Sequence, residues 1–458
     1  MRQLRTLPLI MAAALAAAKP AQQEPPPPPM FTNEERWQVV MYWMQPDRYS
    51  AQPLGDVEQK GRFYVRFTPE GSTWIRDYFT LRNPVKTDPT KPPPPLNEQQ
   101  LAWDAWLDSR LKQEKDEAQV QADAMNKGDE PPIQAVPDAV PDDLALLLPP
   151  PPAFYAVVVP YVHTVKFDDV TLTYQDHVAV RDKFAYYRNE KGVTSAGEKI
   201  SQRSPDELKT LFDRAQISPT EQHVFQAVSL LEGGFDAVNT YDTGFVSVGF
   251  IQFASLADAA GSLGQVLLQM KQDSPDDFQA NFRSYGVDVT EDGVLVVIDP
   301  TTGTEFAGAD ANRRVIIDKR LTAVFQRAGE VSDAFDVAQL VVAKRMYYPA
   351  DDVVTVQAGD KTLTAQVKDI FQTEAGLATL MDRKVNTGNI SILTDYLTDL
   401  VAQTGMTDLR QASKYEWALT RAVQFRRSFL DDLELTQPQR SDIALSRGNN
   451  PRDRRGGG

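Results

Sequence analysis

Cysteine is absent from this sequence of 458 residues. Its absence excludes disulfide bonds, cysteine nucleophiles and cysteine-based metal sites, so the fold must depend on core packing alone. The only histidines are His163, His177 and His223, and none has the spacing of a metal-binding pair. A Gly-rich phosphate loop and a Gly-x-Ser-x-Gly nucleophile motif are also missing. The sequence therefore predicts no metal site and no cofactor.

Positive charge is in deficit: 48 Lys and Arg residues stand against 63 Asp and Glu residues, and the formal net charge is −15. A nucleic-acid-binding protein needs a basic face, so nucleic acid is not predicted as a partner. The acidic balance is explained by solubility more simply than by attraction of a cationic substrate such as chitosan. No stretch beyond the N-terminus approaches the length of a transmembrane helix, so no membrane span is predicted. The sequence indicates no oligomeric state.

The N-terminus has the organisation of a secretory signal peptide. Arg2 and Arg5 form a basic start, an apolar stretch covers residues 7–15, and small residues at 16–18 suit cleavage. No cysteine follows, which excludes a lipoprotein anchor. We therefore expect residues 1–18 to be removed and the mature protein to be secreted, periplasmic or part of the cell envelope.

Proline is abundant, and its 32 residues cluster in runs that are typical of linkers. After the signal peptide, the predicted divisions are a Pro-rich spacer (19–30), a small α/β module of a hairpin and a helix (31–130), a Pro-rich linker (131–152), a small β module (153–204), a mainly helical domain (205–436) and a disordered tail (437–458). The predicted fold class is α+β, with a mainly α domain that carries a short catalytic β-hairpin.

Two predictions within the N-terminal modules are specific enough to test. β-Forming residues at 61–67 and 72–79 flank a Pro-Glu-Gly turn, which predicts a hairpin. Asn97 followed by Gln100 has the pattern of a reciprocal helix cap, which predicts a helix to about Asn126.

The most informative stretch begins at Ser218, where Ser218-Pro-Thr-Glu221 is a strong helix-start signal. Apolar residues then follow at helical spacing, and Gly233-Gly234 is expected to end the helix. Glu232 would be its last residue, beside the buried face. The negative end of the helix dipole and nearby apolar groups would both raise the pKa of this carboxyl group. A raised pKa is what a general acid requires.

The residues from Glu232 to Phe253 resemble the lysozyme superfamily. A glutamate at a helix end, a turn with Gly and Asp, and a β-hairpin with Ser and Gly make up the similar arrangement. Glu232 resembles the acid of phage-type lysozymes and lytic transglycosylases. Asp242 and Ser247 resemble the Asp and Thr that position water in phage-type lysozymes and chitosanases. Gly249-Phe-Ile-Gln252 resembles the Gly-x-x-Gln signature of lytic transglycosylases, whose Gln lies in the sugar groove.

Weaker similarity continues downstream, so that the resemblance covers about residues 205–436. Leu380–Gly388 is similar to a chitosanase helix, and Glu416–Leu430, with Arg421, Arg426 and Arg427, is similar to the C-terminal Arg-rich helix of chitosanases. The resemblance implies a lysozyme-like fold with Glu232, Asp242 and Ser247 as catalytic residues. It also implies a set of substrate-binding residues, which are Tyr241, Gly249, Gln252, Asp382 and Asn386. The spacing from Glu232 to Asp242 is shorter than in chitosanases.

The function that this resemblance implies is cleavage of a polysaccharide of β-1,4-linked amino sugars. Export and the Gly-x-x-Gln signature favour peptidoglycan, whereas the acidic charge and the downstream helices favour chitosan. Asp242 either activates water, which allows hydrolysis with inversion, or faces solvent, which leaves Glu232 alone to act as in a transglycosylase. A purely structural role for Asp242, as a turn residue that caps the backbone, is a further alternative. A non-catalytic envelope protein that keeps the fold for binding or structure is the alternative from another class.

Overall fold

The computed structural model describes residues 29–55, 61–83 and 96–445. The predicted signal peptide, most of the spacer and residues 446–458 of the predicted tail lie outside these ranges. Helices and several small antiparallel sheets occur together, so the chain is of the α+β class, as predicted. Within the described ranges, none of the helices has both the length and the apolar character that crossing a membrane requires.

The α-helices are α1 (Asn33–Trp43), α2 (Pro69–Arg82), α3 (Glu98–Lys127), α4 (Asp142–Ala145), α5 (Pro205–Arg214), α6 (Pro219–Ser229), α7 (Ser262–Asp273), α8 (Pro275–Asn281), α9 (Ala309–Ile317), α10 (Lys319–Val331), α11 (Asp333–Tyr347), α12 (Val367–Ile370), α13 (Glu374–Thr387), α14 (Ile392–Thr404) and α15 (Glu416–Val423). The strands are β1 (Tyr49–Pro53), β2 (Tyr64–Phe67), β3 (Tyr155–Val158), β4 (Tyr161–Lys166), β5 (Thr171–Gln175), β6 (Thr194–Ser195), β7 (Val238–Asn239), β8 (Ser247–Val248), β9 (Phe253–Ala254), β10 (Val287–Val289), β11 (Leu295–Ile298), β12 (Glu305–Ala307), β13 (Val353–Ala358) and β14 (Lys361–Gln366).

The strands pair into five small sheets, with orders β1-β4-β5, β2-β3, β6-β7-β8-β9, β10-β11-β12 and β13-β14. The residues of the predicted β module, 153–204, are divided among three of these sheets. β3 pairs with β2, β4 pairs with β1, and β6 pairs with β7. The β6–β7 pairing connects the N-terminal half to residues 205–436 through backbone hydrogen bonds.

Most helices pack around one large apolar core, here called the main cluster. It consists of the buried apolar side chains of residues 193–435 together with Phe31, Val39, Trp43, Val165, Phe167, Leu172 and Tyr174. Helix α1 is attached to it by the Trp43 indole N–H, which donates to the Tyr285 carbonyl at 3.2 Å. Ile443 and Leu445, in the described part of the predicted tail, also pack against this cluster.

A second cluster is built from aromatic and aliphatic side chains of the N-terminal half. Its members are Phe67, Trp74, Ile75, Tyr78, Trp103, Leu107, Leu111, Ala118, Leu144, Phe154, Tyr155, Ala179, Ala185 and Tyr187. The predicted helix from Asn97 is confirmed as α3, with both hydrogen bonds of the reciprocal cap between Asn97 and Gln100. Residues 131–152 include the short helix α4, whose Leu144 is fully buried in this cluster.

The predicted hairpin at 61–79 is wrong in its second strand, which is the helix α2. Thr68 caps this helix by accepting a hydrogen bond from the Gly71 N–H at 3.0 Å, and Pro69 occupies the first helical position. Both features are helix-start signals, and they prevail over the β-forming residues that follow. β2 therefore pairs with the distant strand β3 instead of with its chain neighbour.

Candidate functional site

Glu232 follows helix α6, whose start at Ser218 is confirmed together with its capping box to Glu221. The prediction that Glu232 ends this helix is wrong by three residues, because α6 ends at Ser229. Glu232 lies in the next turn, where its N–H donates to the Ser229 carbonyl at 3.0 Å. The Gly234 N–H bonds the Ala196 carbonyl at 2.9 Å, so the chain leaves the helical path to meet the segment after β6.

The hairpin expected after Glu232 is confirmed. β7 and β8 pair antiparallel, with Asn239 opposite Ser247, and β9 continues the sheet on the far side of β8. The connection between β7 and β8 carries Tyr241 and Asp242. This arrangement brings a turn after a helix and the tip of a hairpin to the same place.

A cleft of about 460 Å³ lies between these segments and helix α13. Its lining consists of Thr194, Ser195, Ala196, Glu232, Asn239, Tyr241, Asp242, Thr243, Gly244, Ser247, Ile251, Gln252, Val385 and Asn386. The three residues with predicted catalytic roles are all in this lining. Of the predicted substrate-binding residues, Tyr241, Gln252 and Asn386 line the cleft, whereas Gly249 and Asp382 do not.

The carboxylate of Glu232 is nearly buried and has one cationic partner. Its Oε1 lies 2.7 Å from the Arg426 guanidinium and 3.5 Å from the amide nitrogen of Asn386. Burial raises the pKa of Glu232 above its ordinary value, and Arg426 opposes this effect without cancelling it. The pKa of Glu232 is therefore raised, as the sequence predicted. The cause is burial of the carboxyl group and not a position at the end of a helix.

Asp242 is held inside its own loop. Its Oδ1 accepts from the Gly244 N–H and its Oδ2 from the Asn239 side-chain amide, each at 2.8 Å. Burial raises the pKa of Asp242, and these two hydrogen bonds lower it by less. Asp242 thus caps the turn and also lines the cleft, so its capping role does not remove it from the site.

Asp382 stands behind the cleft. It is almost fully buried and accepts a hydrogen bond from Arg426 Nε at 2.8 Å, while the same guanidinium reaches Glu232. Its carbonyl oxygen accepts from the side chain of Asn386 at 2.7 Å. Asp382 therefore positions two groups that touch Glu232, and the prediction that it contacts substrate directly is not supported by its place.

Arg426 comes from a segment that the sequence predicted as helix. The predicted helix 416–430 is wrong beyond Val423, where α15 ends. The guanidinium of Arg383 donates a hydrogen bond to the Val423 carbonyl at 3.0 Å. Gln424 has a non-helical backbone, with φ of −50° and ψ of 140°. The chain therefore turns, and Arg426 reaches Glu232 from this turn.

Gly249 is a packing residue for the hairpin. Its φ is +86°, and a Cβ atom there would lie 2.0 Å from the side-chain oxygen of Gln339. Gln339, on α11, is completely buried. Its amide accepts from the Phe250 N–H at 3.2 Å and donates to the Phe235 carbonyl at 3.0 Å. One side chain therefore joins the turn after Glu232 to the hairpin that carries Ser247.

The hairpin also concentrates unusual backbone conformations. Positive φ angles occur at the non-glycine residues Phe245, Gln252, Leu256 and Ala259. Such conformations cost free energy and persist where the surroundings enforce them, often at functional sites. At Gln252 the conformation is accompanied by a hydrogen bond from its side-chain amide to the Gly249 carbonyl at 3.1 Å. Gln252 thus lines the cleft from a fixed backbone position.

Several lining residues were not predicted from the sequence. Thr194 and Ser195 lie on β6, which the sequence placed in a separate module, and Val385 lies on α13 beside the predicted Asn386. Asn239 precedes Asp242 by three residues, a spacing typical of a side-chain-capped turn, and this was the one local signal that could have found it.

A scan against protein-family models, a search of curated proteins and a search of solved structures find no match to this chain. The function of the cleft must therefore be inferred from its own residues. These are a buried carboxyl group with a raised pKa, a second carboxyl group, and surrounding side chains that are mostly neutral and polar.

Proposed function

We propose that this cleft cleaves a polysaccharide of β-1,4-linked amino sugars, with Glu232 as the general acid, in an exported protein with a lysozyme-like domain. The observation that carries the proposal is that Glu232 and Asp242 line the same open cleft. Cleavage of a glycosidic bond commonly uses two carboxyl groups around the scissile bond. The proposal also agrees with the resemblance of residues 232–253 to the lysozyme superfamily.

The surroundings of Glu232 suit an acid that must hold a proton and then release it. Burial favours the neutral carboxyl group, which can protonate the glycosidic oxygen as the bond breaks. A sugar in the cleft would exclude more water and favour the neutral form further. When the proton has left, Arg426 at 2.7 Å stabilises the resulting carboxylate.

The role of Asp242 decides between two routes for the second half of the reaction. If its carboxylate activates water, with Ser247 as a further hydrogen-bonding partner, the product is a hydrolysed sugar. Both oxygens of Asp242 already accept hydrogen bonds from its own loop, which favours a structural role for Asp242 over activation of water. In that case a hydroxyl group of the sugar itself attacks, Glu232 acts as acid and then base, and the product is an anhydro sugar.

Two polymers are candidate substrates. Peptidoglycan is the first candidate, because the Gly-x-x-Gln resemblance and the expected export both favour it. Chitosan is the second, and one observation favours it: among the described residues of the lining, Glu232 and Asp242 are acidic and none is Lys, Arg or His. Such a wall suits a substrate that carries ammonium groups.

The test is product analysis by mass spectrometry on both polymers. It compares the mature protein with Glu232→Gln and with Glu434→Gln, an exposed glutamate outside the cleft. We expect the wild type and Glu434→Gln to release the same fragments and Glu232→Gln to release none. Hydrolysed or anhydro ends identify the route. If the wild type cleaves neither polymer but binds one, the protein belongs with the non-catalytic envelope proteins.

A further inference from the structure

Tyr241 is the residue at which the cleft meets the second cluster. It lines the cleft and also packs against that cluster. Its ring is stacked on His177, with a centroid distance of 3.7 Å and an interplanar angle of 9°. The aromatic wall of the cleft is therefore continuous with the N-terminal half, to which neither the sequence nor the proposed function gives a role.

From Tyr241, aromatic rings continue towards the surface. Phe184 lies 6.4 Å from the Tyr241 ring, and Tyr186 lies 6.0 Å from the Phe184 ring. Phe184 is half-buried, and Tyr186 is 41% exposed. The rings thus form a row from the cleft to solvent. An exposed tyrosine at the end of such a row offers an apolar ring face.

The loop that carries this row is fixed to the cleft. The N–H groups of Arg188 and Asn189 both donate to the Tyr241 carbonyl, at 2.8 and 3.1 Å. Ser72 on α2 donates to the Phe184 carbonyl at 2.5 Å and accepts from Arg188 at 3.0 Å. A loop held in this way presents its rings without an ordering cost when a ligand arrives.

We propose that Tyr241, Phe184 and Tyr186 form a glycan-binding track that extends the cleft onto the N-terminal half. Its ligand is the part of the polymer beyond the sugars that occupy the cleft. The apolar faces of pyranose rings pack on aromatic rings. The track rests on the proposed function, since it takes the same polymer, and it gives the second cluster the task of holding one end of the substrate.

The test measures binding in a Glu232→Gln background, so that the polymer stays intact. The probes are soluble peptidoglycan strands and soluble chitosan, each compared with its short oligosaccharides. Tyr186→Ala is compared with Tyr161→Ala, because Tyr161 is a tyrosine of similar exposure, 39%, on β4. We expect Tyr186→Ala to bind the long chains roughly three- to tenfold more weakly. The loss should be confined to long chains, absent in Tyr161→Ala, and restored by Tyr186→Trp.

Other results overturn the track. An unchanged affinity of Tyr186→Ala for long chains does so, as does an equal loss in Tyr161→Ala or on short oligosaccharides. Failure of the protein to bind either polymer also does so. The two proposals can fail separately. If the wild type cleaves neither polymer but binds long chains in a manner that depends on Tyr186, only the proposed cleavage activity is refuted. If the wild type cleaves a polymer and Tyr186→Ala has no effect on binding, only the proposed track is refuted.

Discussion

The cleft and the second cluster are built by different means. Around the cleft, two-residue strands and tight turns are held by buried polar side chains, with Gln339 bridging two segments and Asp382 holding Arg426. The second cluster consists of aromatic and aliphatic side chains in equal number, packed among α2, the long helix α3 and two short strands. Apolar burial is non-directional, whereas hydrogen bonds fix positions. The comparison indicates that directional hydrogen bonds position the segments around the cleft, whereas apolar packing holds the second cluster together.

A large effect on stability is expected in the second cluster. Phe154 is fully buried and contacts Trp74 edge to face, with ring centroids 5.6 Å apart. Phe154→Ala should lower the free energy of unfolding by about 3–5 kcal/mol, because it removes apolar area and leaves a cavity. Denaturant unfolding measures this loss. Glycan cleavage at a temperature where the variant is folded should stay close to the wild-type rate, and a parallel loss of cleavage would erase the distinction between the regions.

A clear loss of activity, in addition to a loss of stability, is expected for Gln339→Leu. The substitution leaves the Phe250 N–H and the Phe235 carbonyl buried without partners, which costs about 1–3 kcal/mol for each group. It also frees the turn after Glu232 from the hairpin, so kcat should fall by more than in Phe154→Ala. Gln372→Leu, at an exposed position, is the control. Unaltered kcat in Gln339→Leu would show that the bridge does not position the site.

The smallest expected effect is a shift in the pH profile. In the proposed mechanism, cleavage requires Glu232 to be protonated. Burial raises the pKa of Glu232, and Arg426 lowers it. Activity should therefore be lost as pH rises through this raised pKa. Arg426→Gln removes the opposing charge and should move the alkaline limb of kcat/KM to higher pH. In Arg427→Gln, whose guanidinium pairs with Asp432, the limb should stay in place. A downward shift in Arg426→Gln would contradict the pKa-lowering effect assigned to Arg426.

Local signals in the sequence predicted local structure well. The starts of α3 and α6 follow from caps at Asn97 and Ser218, which act within one helical turn. The hairpin of β7 and β8 was expected from the resemblance of residues 232–253 to the lysozyme superfamily. The wrong prediction of a strand at residues 72–79 also has a local cause. Thr68 and Pro69 are helix-start signals, but the β-forming residues that follow them favoured a strand.

Contacts between distant segments could not be predicted. The sequence indicated Glu232, Asp242, Ser247, Gln252 and Asn386, and the structure brings these residues to one cleft. The ion pair of Glu232 with Arg426 joins segments far apart in the chain, and Arg426 lies in a turn only because α15 ends early. The pairing of β6 with β7, which adds residues 194–196 to the cleft, has no local signal either.

The most direct test of the account is whether the need for Glu232 depends on the leaving group. The rates of the wild type and Glu232→Gln would be compared on the natural polymer and on an aryl glycoside whose leaving group needs no proton. A general acid predicts a loss of about 10²–10⁴-fold on the polymer and a far smaller loss on the aryl glycoside. Equal losses on both substrates, or no loss on the polymer, would contradict the assignment of Glu232 as the acid.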